Sequence, residues 1–300
     1  CLHCYESEET HPTQSRLSVD DYKNIFGQLR ELGFLYLSIT GGEIFLRRDI
    51  LDIVAEAKRQ RFWIKLLTSG THINEARAKR IAELKIGQVE VSLYSPHAAV
   101  HDKFTQIPGS HQRTVAAVRH LRAQGVRTLV KTNVMTFNVD DLVELKQWAE
   151  SEGALFTLNP VVDPKMNGDK SPQRFMVPAQ EIAEKIYGNP YLMQEAKSVD
   201  QYEELCSGDN TLFGPKTNHV CGAASSTVAI DAQGFVYPCV SFTLAAGNIL
   251  ETPLADIWSG SHLMRQIRGV SFNDFGANGC NSCENQKTCH PCMAYSYVET

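Results

Sequence analysis

Apolar runs of strand length alternate with helical patterns along the first half of the chain. The alternation predicts strands at 34–39, 62–67, 88–93, 126–134 and 154–158, and helices at 18–32, 47–59, 74–84, 111–124 and 139–151. Repeated βα order buries a parallel sheet between helices, and the active site of such a fold belongs at the carboxyl ends of the strands.

We expect one more strand before Cys1, because the chain starts in a loop that leads straight into a helix. The predicted fold class is α/β: a partial (β/α)6 barrel whose first strand is missing from the segment, followed by a small cysteine-rich domain. In that domain Ile230 to Cys239 reads as a β-hairpin with Gly234 at the turn. The predicted domains are 1–190 for the barrel and 191–300 for the cysteine-rich part, with a linker at about 160–205.

Composition narrows the class of protein further. The chain has 43% hydrophobic residues, 21% charged residues and a formal net charge of -5. This composition predicts a globular protein without general affinity for nucleic acid or anionic membranes. No apolar run approaches the roughly 20 residues needed to span a bilayer, and there is no signal peptide. Reduced thiols in such numbers then indicate the cytoplasm.

The nine cysteines lie almost wholly at the two ends of the chain. They are Cys1, Cys4, Cys206, Cys221, Cys239, Cys280, Cys283, Cys289 and Cys292. The run Cys280-x2-Cys283-x5-Cys289-x2-Cys292 has the thiolate density that a multi-iron cluster needs. A disulfide framework belongs to small secreted domains, whereas structural zinc is the stronger alternative. One zinc would use four thiolates and leave three of the C-terminal cysteines unexplained.

A glycine-rich loop follows the first predicted strand. It reads Thr40-Gly41-Gly42-Glu43. Two glycines let the backbone approach a ligand closely, and the carboxylate after them can accept hydrogen bonds from an ammonium group. The loop is predicted to lie at the active-site end of the sheet, where such a group would bind a ligand.

Residues 1 to about 160 resemble the radical S-adenosylmethionine (radical SAM) enzymes. Cys1-x2-Cys4 followed by Tyr5 resembles the end of the family's Cys-x3-Cys-x2-Cys hallmark, with the first cysteine expected upstream of the visible start. In the family, three thiolates bind three irons of a [4Fe–4S] cluster, and the fourth iron binds S-adenosylmethionine. An open coordination position is what a catalytic metal site requires.

The resemblance implies a set of cofactor-binding residues. They are Tyr5, Gly41, Gly42, Glu43, Ser69, Gly70, Ser92 and Lys131. The Gly-Gly-Glu loop would hold the amino group of the cofactor, and Ser92 its ribose or carboxylate. Many relatives pair that carboxylate with an arginine that this chain lacks, and we expect Lys131 to replace it. For Ser69 and Ser92, hydroxyls that bind local backbone are the alternative.

The C-terminal third resembles the SPASM extension of that family. Cys221-x12-Gly234-x4-Cys239 matches its opening motif. By resemblance Cys221, Cys239 and Cys292 bind a first auxiliary cluster, and Cys280, Cys283 and Cys289 bind a second. Cys206 is either a fourth ligand of the first cluster or a free thiol, and the second cluster would need a cysteine beyond Thr300. The implied cofactors are one radical SAM [4Fe–4S] cluster, up to two auxiliary clusters and S-adenosylmethionine.

The implied reaction is reductive cleavage of S-adenosylmethionine to a 5′-deoxyadenosyl radical that takes hydrogen from a peptide or small protein. The segments around Pro108-Gly109-Ser110 and 159–169 resemble peptide maturases, and a low-potential donor such as flavodoxin or ferredoxin would supply the electron. Haem-pathway and anaerobic sulfatase-maturing enzymes of the same family remain alternatives. A structural zinc or iron–sulfur protein is the alternative of another class, although it has no use for an ammonium-and-carboxylate pocket. No catalytic side chain beyond the cluster ligands is expected.

Overall fold

The computed structural model describes residues 1–6, 17–194, 221–271, 274 and 292–294. The helices are α1 (Val19–Glu31), α2 (Ile50–Arg59), α3 (Glu75–Glu83), α4 (Ala98–Thr105), α5 (Ser110–Ala123), α6 (Leu142–Ser151), α7 (Ala179–Ile182), α8 (Pro190–Met193), α9 (Leu254–Gly260) and α10 (His262–Gly269). The strands are β1 (Tyr36–Ile39), β2 (Trp63–Thr68), β3 (Gln88–Ser92), β4 (Thr128–Asn133), β5 (Leu155–Asn159), β6 (Ala229–Ile230), β7 (Phe235–Tyr237) and β8 (Gly247–Asn248). None of the described helices combines the length and apolar character needed to cross a bilayer.

The described residues fall into two compact units. The first contains 1–6, 33–165 and 169–194, and the second contains 17–32, 166–168, 221–271, 274 and 292–294. Helix α1 and the short segment 166–168 therefore group with the cysteine-rich part, although both lie within the 1–190 range predicted for the barrel. The assignment of residue ranges to family domains stays a prediction.

The first unit is built on a five-stranded parallel sheet in the order β1-β2-β3-β4-β5. Buried and partly exposed residues alternate along β2 and β4. One face of the sheet is therefore buried, and the side chains of the other face are partly exposed. Helices α2 and α5 each present buried residues three and four positions apart, which is the spacing of one helical face. These helices contact the sheet strands β2, β3 and β4. The predicted α/β class with a parallel sheet is confirmed.

All five predicted strands occur, within three residues of their predicted ends. Helix α4 was not predicted, because its buried face is partly polar. It buries His101 and Thr105 beside Phe104, so no apolar periodicity marks it. Helix α3 begins where the Asn74 side chain accepts the Arg77 N–H at 2.9 Å, which is a typical N-terminal cap.

The second unit contains a small antiparallel sheet in the order β6-β7-β8. The turn between β6 and β7 passes through Gly234 at φ +88°, a left-handed conformation that glycine adopts without strain. The predicted hairpin with its glycine turn is confirmed. Helix α1 contacts α9 in this unit, and the Leu254 N–H donates to Oε1 of Gln28 at 2.6 Å.

Candidate functional site

The N-terminal cysteine pair lies in a short turn of the first unit. The Cys4 N–H donates to the Cys1 carbonyl at 3.2 Å, and the Leu2 N–H donates to the Phe104 carbonyl at 3.1 Å. The imidazole of His3 packs on the rings of Phe104 and Tyr94, with centroids 4.7 and 5.2 Å away. Cys1 is exposed and Cys4 half-buried, and both are free thiols. Two soft sulfur donors in one anchored turn fit an iron–sulfur cluster, whose protein ligands are cysteine thiolates.

An apolar cluster supports this turn. Tyr94, Phe104, Met135 and Val162 are buried together, and Leu2 packs against them. Three of these residues follow β3, β4 and β5 in the chain, so the cluster lies at the carboxyl ends of those strands. The turn is thus held at the edge of the sheet where the active site of a parallel α/β fold belongs.

Tyr5 lies directly after the second thiol. Burial raises the pKa of its hydroxyl to about 12, and the nearby charges of Glu6, Cys4 and Asp163 act in the same direction. The ring is therefore a neutral aromatic surface beside the Cys4 thiol at any physiological pH.

The Gly41-Gly42-Glu43 loop leaves β1 at the same edge. A side chain built on Gly41 or Gly42 would meet no atom within 4 Å, so the backbone of this loop is open to a ligand. Glu43 begins the 3-10 turn Ile44–Leu46 and accepts the Phe45 N–H at 3.0 Å.

The Glu43 carboxylate also joins β1 to the end of β2. It accepts the hydroxyl of Thr68 at 2.8 Å and the backbone N–H of Ser69 at 2.8 Å, and the Ser69 hydroxyl donates to it as well. A carboxylate has about four acceptor positions, and protein donors engage that number here. In this structure Glu43 is therefore a link between two strand ends. Its predicted contact with the ammonium of the cofactor stays a prediction, in which the ammonium would share or replace these donors.

Ser69 and Gly70 form the turn after β2. The Ser69 hydroxyl lies 2.9 Å from that of Thr71, and the Ser69 carbonyl accepts the Thr114 hydroxyl at 2.8 Å. The Thr71 N–H also donates to the Ser69 hydroxyl at 3.4 Å, a local backbone contact of the kind named as the alternative, and the predicted cofactor contact of Ser69 stays a prediction. Gly70 has φ +77°, and a Cβ there would lie 3.0 Å from Cγ1 of Val91. Neighbouring side chains therefore cover Gly70. Its predicted place in the cofactor pocket stays a prediction.

Ser92 ends β3, and its side chain hydrogen-bonds Tyr94. Burial raises the pKa of the Tyr94 hydroxyl well above its ordinary range, while the bond to Ser92 lowers it. The Ser92 side chain thus has a neutral phenol as a hydrogen-bond partner. Whether it contacts the ribose or carboxylate of the cofactor stays a prediction.

Lys131 on β4 has a partner that the sequence interpretation missed. Its Nζ lies 3.1 Å from Oε1 of Glu90 on β3, and Nζ of Lys65 on β2 lies 3.5 Å from Oε2. We expected Lys131 to pair with the cofactor carboxylate because a lysine on the inner face needs a negative charge. Glu90 supplies such a charge within the protein, and the contact with the cofactor stays a prediction. The signal was available: Glu90 stands inside the apolar strand Val89-Glu90-Val91, two positions before Ser92 on the same face.

The second unit brings three of the predicted cluster ligands together. Cys221, Cys239 and Cys292 all pack against one small apolar cluster that contains Phe242 and Met293. Burial raises the pKa of the Cys239 thiol, backbone N–H groups of Ser241 and Phe242 lower it, and the two neighbouring cysteines raise it further. The other predicted ligands lie outside the described residues: Cys206, Cys280, Cys283 and Cys289.

Within the described ranges, no three side chains of His, Cys, Asp or Glu come close enough to hold a single metal ion. The described thiols therefore do not form the compact tetrahedral arrangement of a structural zinc. Neighbouring thiols around one apolar cluster are compatible with an iron–sulfur cluster, whose ligands surround several irons.

Two separate parts of the chain match known family models. Residues 1–150 match the model of the radical SAM superfamily, and residues 221–293 match SPASM, described as an iron–sulfur cluster-binding domain. An AdoMet-dependent heme synthase of Methanosarcina barkeri is 24% identical over 318 residues, covering 100% of this chain and 89% of its own length. Mycofactocin maturase MftC of Mycobacterium ulcerans is 27% identical over 308 residues, with 99% and 80% covered.

Among solved structures, Streptococcus suis SuiB bound to precursor peptide SuiA superposes with a TM-score of 0.75 at 18% identity. The match covers 98% of this chain and 69% of that chain. At this identity the likeness concerns the fold.

Proposed function

This chain belongs to the radical SAM superfamily and carries a SPASM iron–sulfur cluster-binding domain, and from that premise we propose that it is a peptide maturase. When bound, a [4Fe–4S] cluster and S-adenosylmethionine supply one electron and a 5′-deoxyadenosyl radical that takes hydrogen from the substrate. The product would be a crosslinked, oxidised or epimerised peptide. One observation carries the proposal: the 27% identity to a mycofactocin maturase, which extends over 99% of the chain.

The residues of this chain have distinct parts in the proposed reaction. Cys1 and Cys4 would hold the radical SAM cluster, and the open backbone of Gly41 and Gly42 would receive the cofactor. The buried Tyr94 and its aromatic neighbours keep water from the inner side of the cluster turn. Cys221, Cys239 and Cys292 would hold an auxiliary cluster in the second unit.

The electron donor and the compartment belong to the same proposal. A [4Fe–4S] cluster that cleaves S-adenosylmethionine needs a low-potential donor, for which a flavodoxin or ferredoxin is suited. The five described cysteines are all free thiols, which supports a reducing compartment such as the cytoplasm. Reduction of the protein by flavodoxin in an anaerobic assay tests the first point.

The test of the proposal uses full-length protein reconstituted anaerobically with iron and sulfide. Dithionite and S-adenosylmethionine are added with short peptides encoded beside its gene, and 5′-deoxyadenosine and peptide mass are measured. We expect one peptide to raise 5′-deoxyadenosine formation and to change in mass. Active cofactor cleavage with no change in any of these peptides would count against a peptide maturase.

A second candidate is a haem-pathway enzyme. It is favoured by the 24% identity to a heme synthase over 100% of this chain. The same assay distinguishes the two, since stimulation by a tetrapyrrole and by no peptide would select this candidate.

A further inference from the structure

We propose that Lys65, Glu90 and Lys131 form a binding site for a carboxylate of the substrate on the inner face of the parallel sheet. The inference rests on the proposed function only in taking the ligand to be a peptide substrate. The site is distinct from the cluster turn and from the Gly41-Gly42-Glu43 loop, and it is built across three neighbouring strands.

The three side chains share one face of the sheet. Along β2, β3 and β4 every second residue points to this face, which is opposite to the one that packs against α2 and α5. Strand register places Glu90 between Leu67 on β2 and Leu129 on β4. Lys65 on β2 pairs in register with Gln88, two residues before Glu90, and Lys131 on β4 pairs with Ser92, two residues after it. The two lysines therefore contact Glu90 diagonally from opposite sides.

The charges on this face do not balance. Each oxygen of Glu90 is engaged by a different lysine, at 3.5 Å for Lys65 and 3.1 Å for Lys131. Of the described residues of β1 to β5 on this face, these three are the only charged ones, so the array has one excess positive charge. Flanking leucines reduce the local dielectric and strengthen the attraction of that charge for an anion.

The array is accessible to a ligand. The Glu90 side chain is only 7% exposed, whereas those of Lys65 and Lys131 are 32% and 35% exposed. An ammonium has three donors, and each lysine directs only one side of its ammonium at Glu90, so each retains donors directed away from it. A ligand can therefore reach both ammonium groups without displacing Glu90.

The chemical class of the ligand follows from charge and position. One excess positive charge matches a monoanion such as a carboxylate better than a doubly charged phosphate. Lys131 lies in the row of Ser69 and Ser92, whereas Lys65 lies four residues, about 13 Å, deeper along its strand than Ser69. A carboxylate held by both lysines therefore lies between these two rows, deeper along the sheet than Ser69 and Ser92, which favours the substrate over the cofactor as its source.

Lysine footprinting tests the proposal on the unaltered, anaerobically reconstituted chain. The chain is acetylated in limiting reagent in the presence of N-acetylglutamate α-amide, N-acetylglutamine α-amide or S-adenosylmethionine, and modification at each lysine is read by mass spectrometry. The two capped amino acids are nearly the same size, and only the first carries a carboxylate. The exposed Lys79 on α3 is the internal control.

We expect N-acetylglutamate α-amide to protect Lys65 and Lys131 by about threefold at a concentration near twice its dissociation constant, and to leave Lys79 unprotected. N-acetylglutamine α-amide, which has no carboxylate, should protect none of the three, and S-adenosylmethionine should leave Lys65 modified. In Glu90→Gln the competing charge is gone, so the concentration that gives half-protection should fall by about two- to fivefold.

Three outcomes would overturn the proposal. They are no protection of Lys65 by N-acetylglutamate α-amide, equal protection by N-acetylglutamine α-amide, and protection by S-adenosylmethionine alone, which would make the array a cofactor subsite. None of them depends on peptide turnover. The site and the proposed peptide activity can thus fail separately.

Discussion

Replacing Glu43 with alanine tests the hydrogen-bond network that joins β1 to β2. The change removes the acceptor of the backbone N–H groups of Phe45 and Ser69 and of the hydroxyls of Thr68 and Ser69. The hydroxyls can rotate toward other acceptors, but the two N–H groups cannot. Each buried donor left without an acceptor costs about 1–3 kcal/mol, and because this site is only partly buried we expect a total loss near the lower end, about 2–3 kcal/mol.

The assay is urea unfolding of the full chain, followed by circular dichroism. With a urea m value of about 3 kcal/mol/M, a loss of this size corresponds to a decrease in the unfolding midpoint of about 0.7–1 M urea. The matched control is Asp49→Ala in the same segment, where the carboxylate pairs with Arg47 at 2.7 Å and is 38% exposed. That exposed pair should contribute less than about 1 kcal/mol.

The same variant is then tested for cofactor binding. If the carboxylate also receives the ammonium of S-adenosylmethionine, its removal weakens binding by roughly tenfold or more in protein that keeps its iron. Equal unfolding midpoints for Glu43→Ala and Asp49→Ala would refute the structural part of this reasoning. Unchanged cofactor affinity in folded Glu43→Ala protein would remove Glu43 from the cofactor site.

Three further predictions concern iron content, packing and pH. Full-length protein reconstituted anaerobically should contain about twelve irons in three [4Fe–4S] clusters by iron and sulfide analysis, and tightly bound zinc without sulfide would contradict this. Gly70→Ala should lower unfolding stability by about 1–3 kcal/mol more than Gly33→Ala, since both have similar positive φ values but only Gly70 meets neighbouring side chains. His101 is 1% exposed, and burial lowers its pKa from 6.5 to about 4. The unfolded chain therefore binds a proton first, and stability should decrease as the pH falls from about 6.5 to about 4, by at most about 3 kcal/mol. His101→Gln should show a smaller loss of urea midpoint between pH 7 and pH 5 than the parent, and an identical loss would contradict this assignment.

The strand order and the placement of the chemistry followed from local patterns. Apolar runs separated by helical periodicity are enough to predict a parallel sheet, because every strand of such a sheet is buried on at least one face. The Gly-Gly-Glu loop and the cysteine spacings are likewise local signals. The loop signal placed Gly41-Gly42-Glu43 at the correct edge. The grouping of Cys221, Cys239 and Cys292 came from the resemblance to the SPASM extension, and the structure packs these three against one apolar cluster.

The details that escaped prediction depend on contacts between distant residues. The link from Glu43 to Thr68 and Ser69 spans 25 and 26 positions, and nothing in either segment specifies it. The partner of Lys131 required knowing that β3 and β4 are neighbours in register, because Glu90 is 41 positions away. The grouping of α1 with the second unit arises in the same way, through its contact with α9 near the other end of the chain.

The path of the chain between the two units limits how this enzyme can be divided. After the Cys1–Cys4 turn the chain enters the second unit, forms α1, and returns to the first unit at Gly33. A fragment ending near residue 190 would contain α1 without α9, and would lose the hydrogen bond from the Leu254 N–H to Gln28. A fragment meant to carry only the first cysteine pair and the parallel sheet therefore has to extend to at least Gly260 if α1 is to keep its contact with α9.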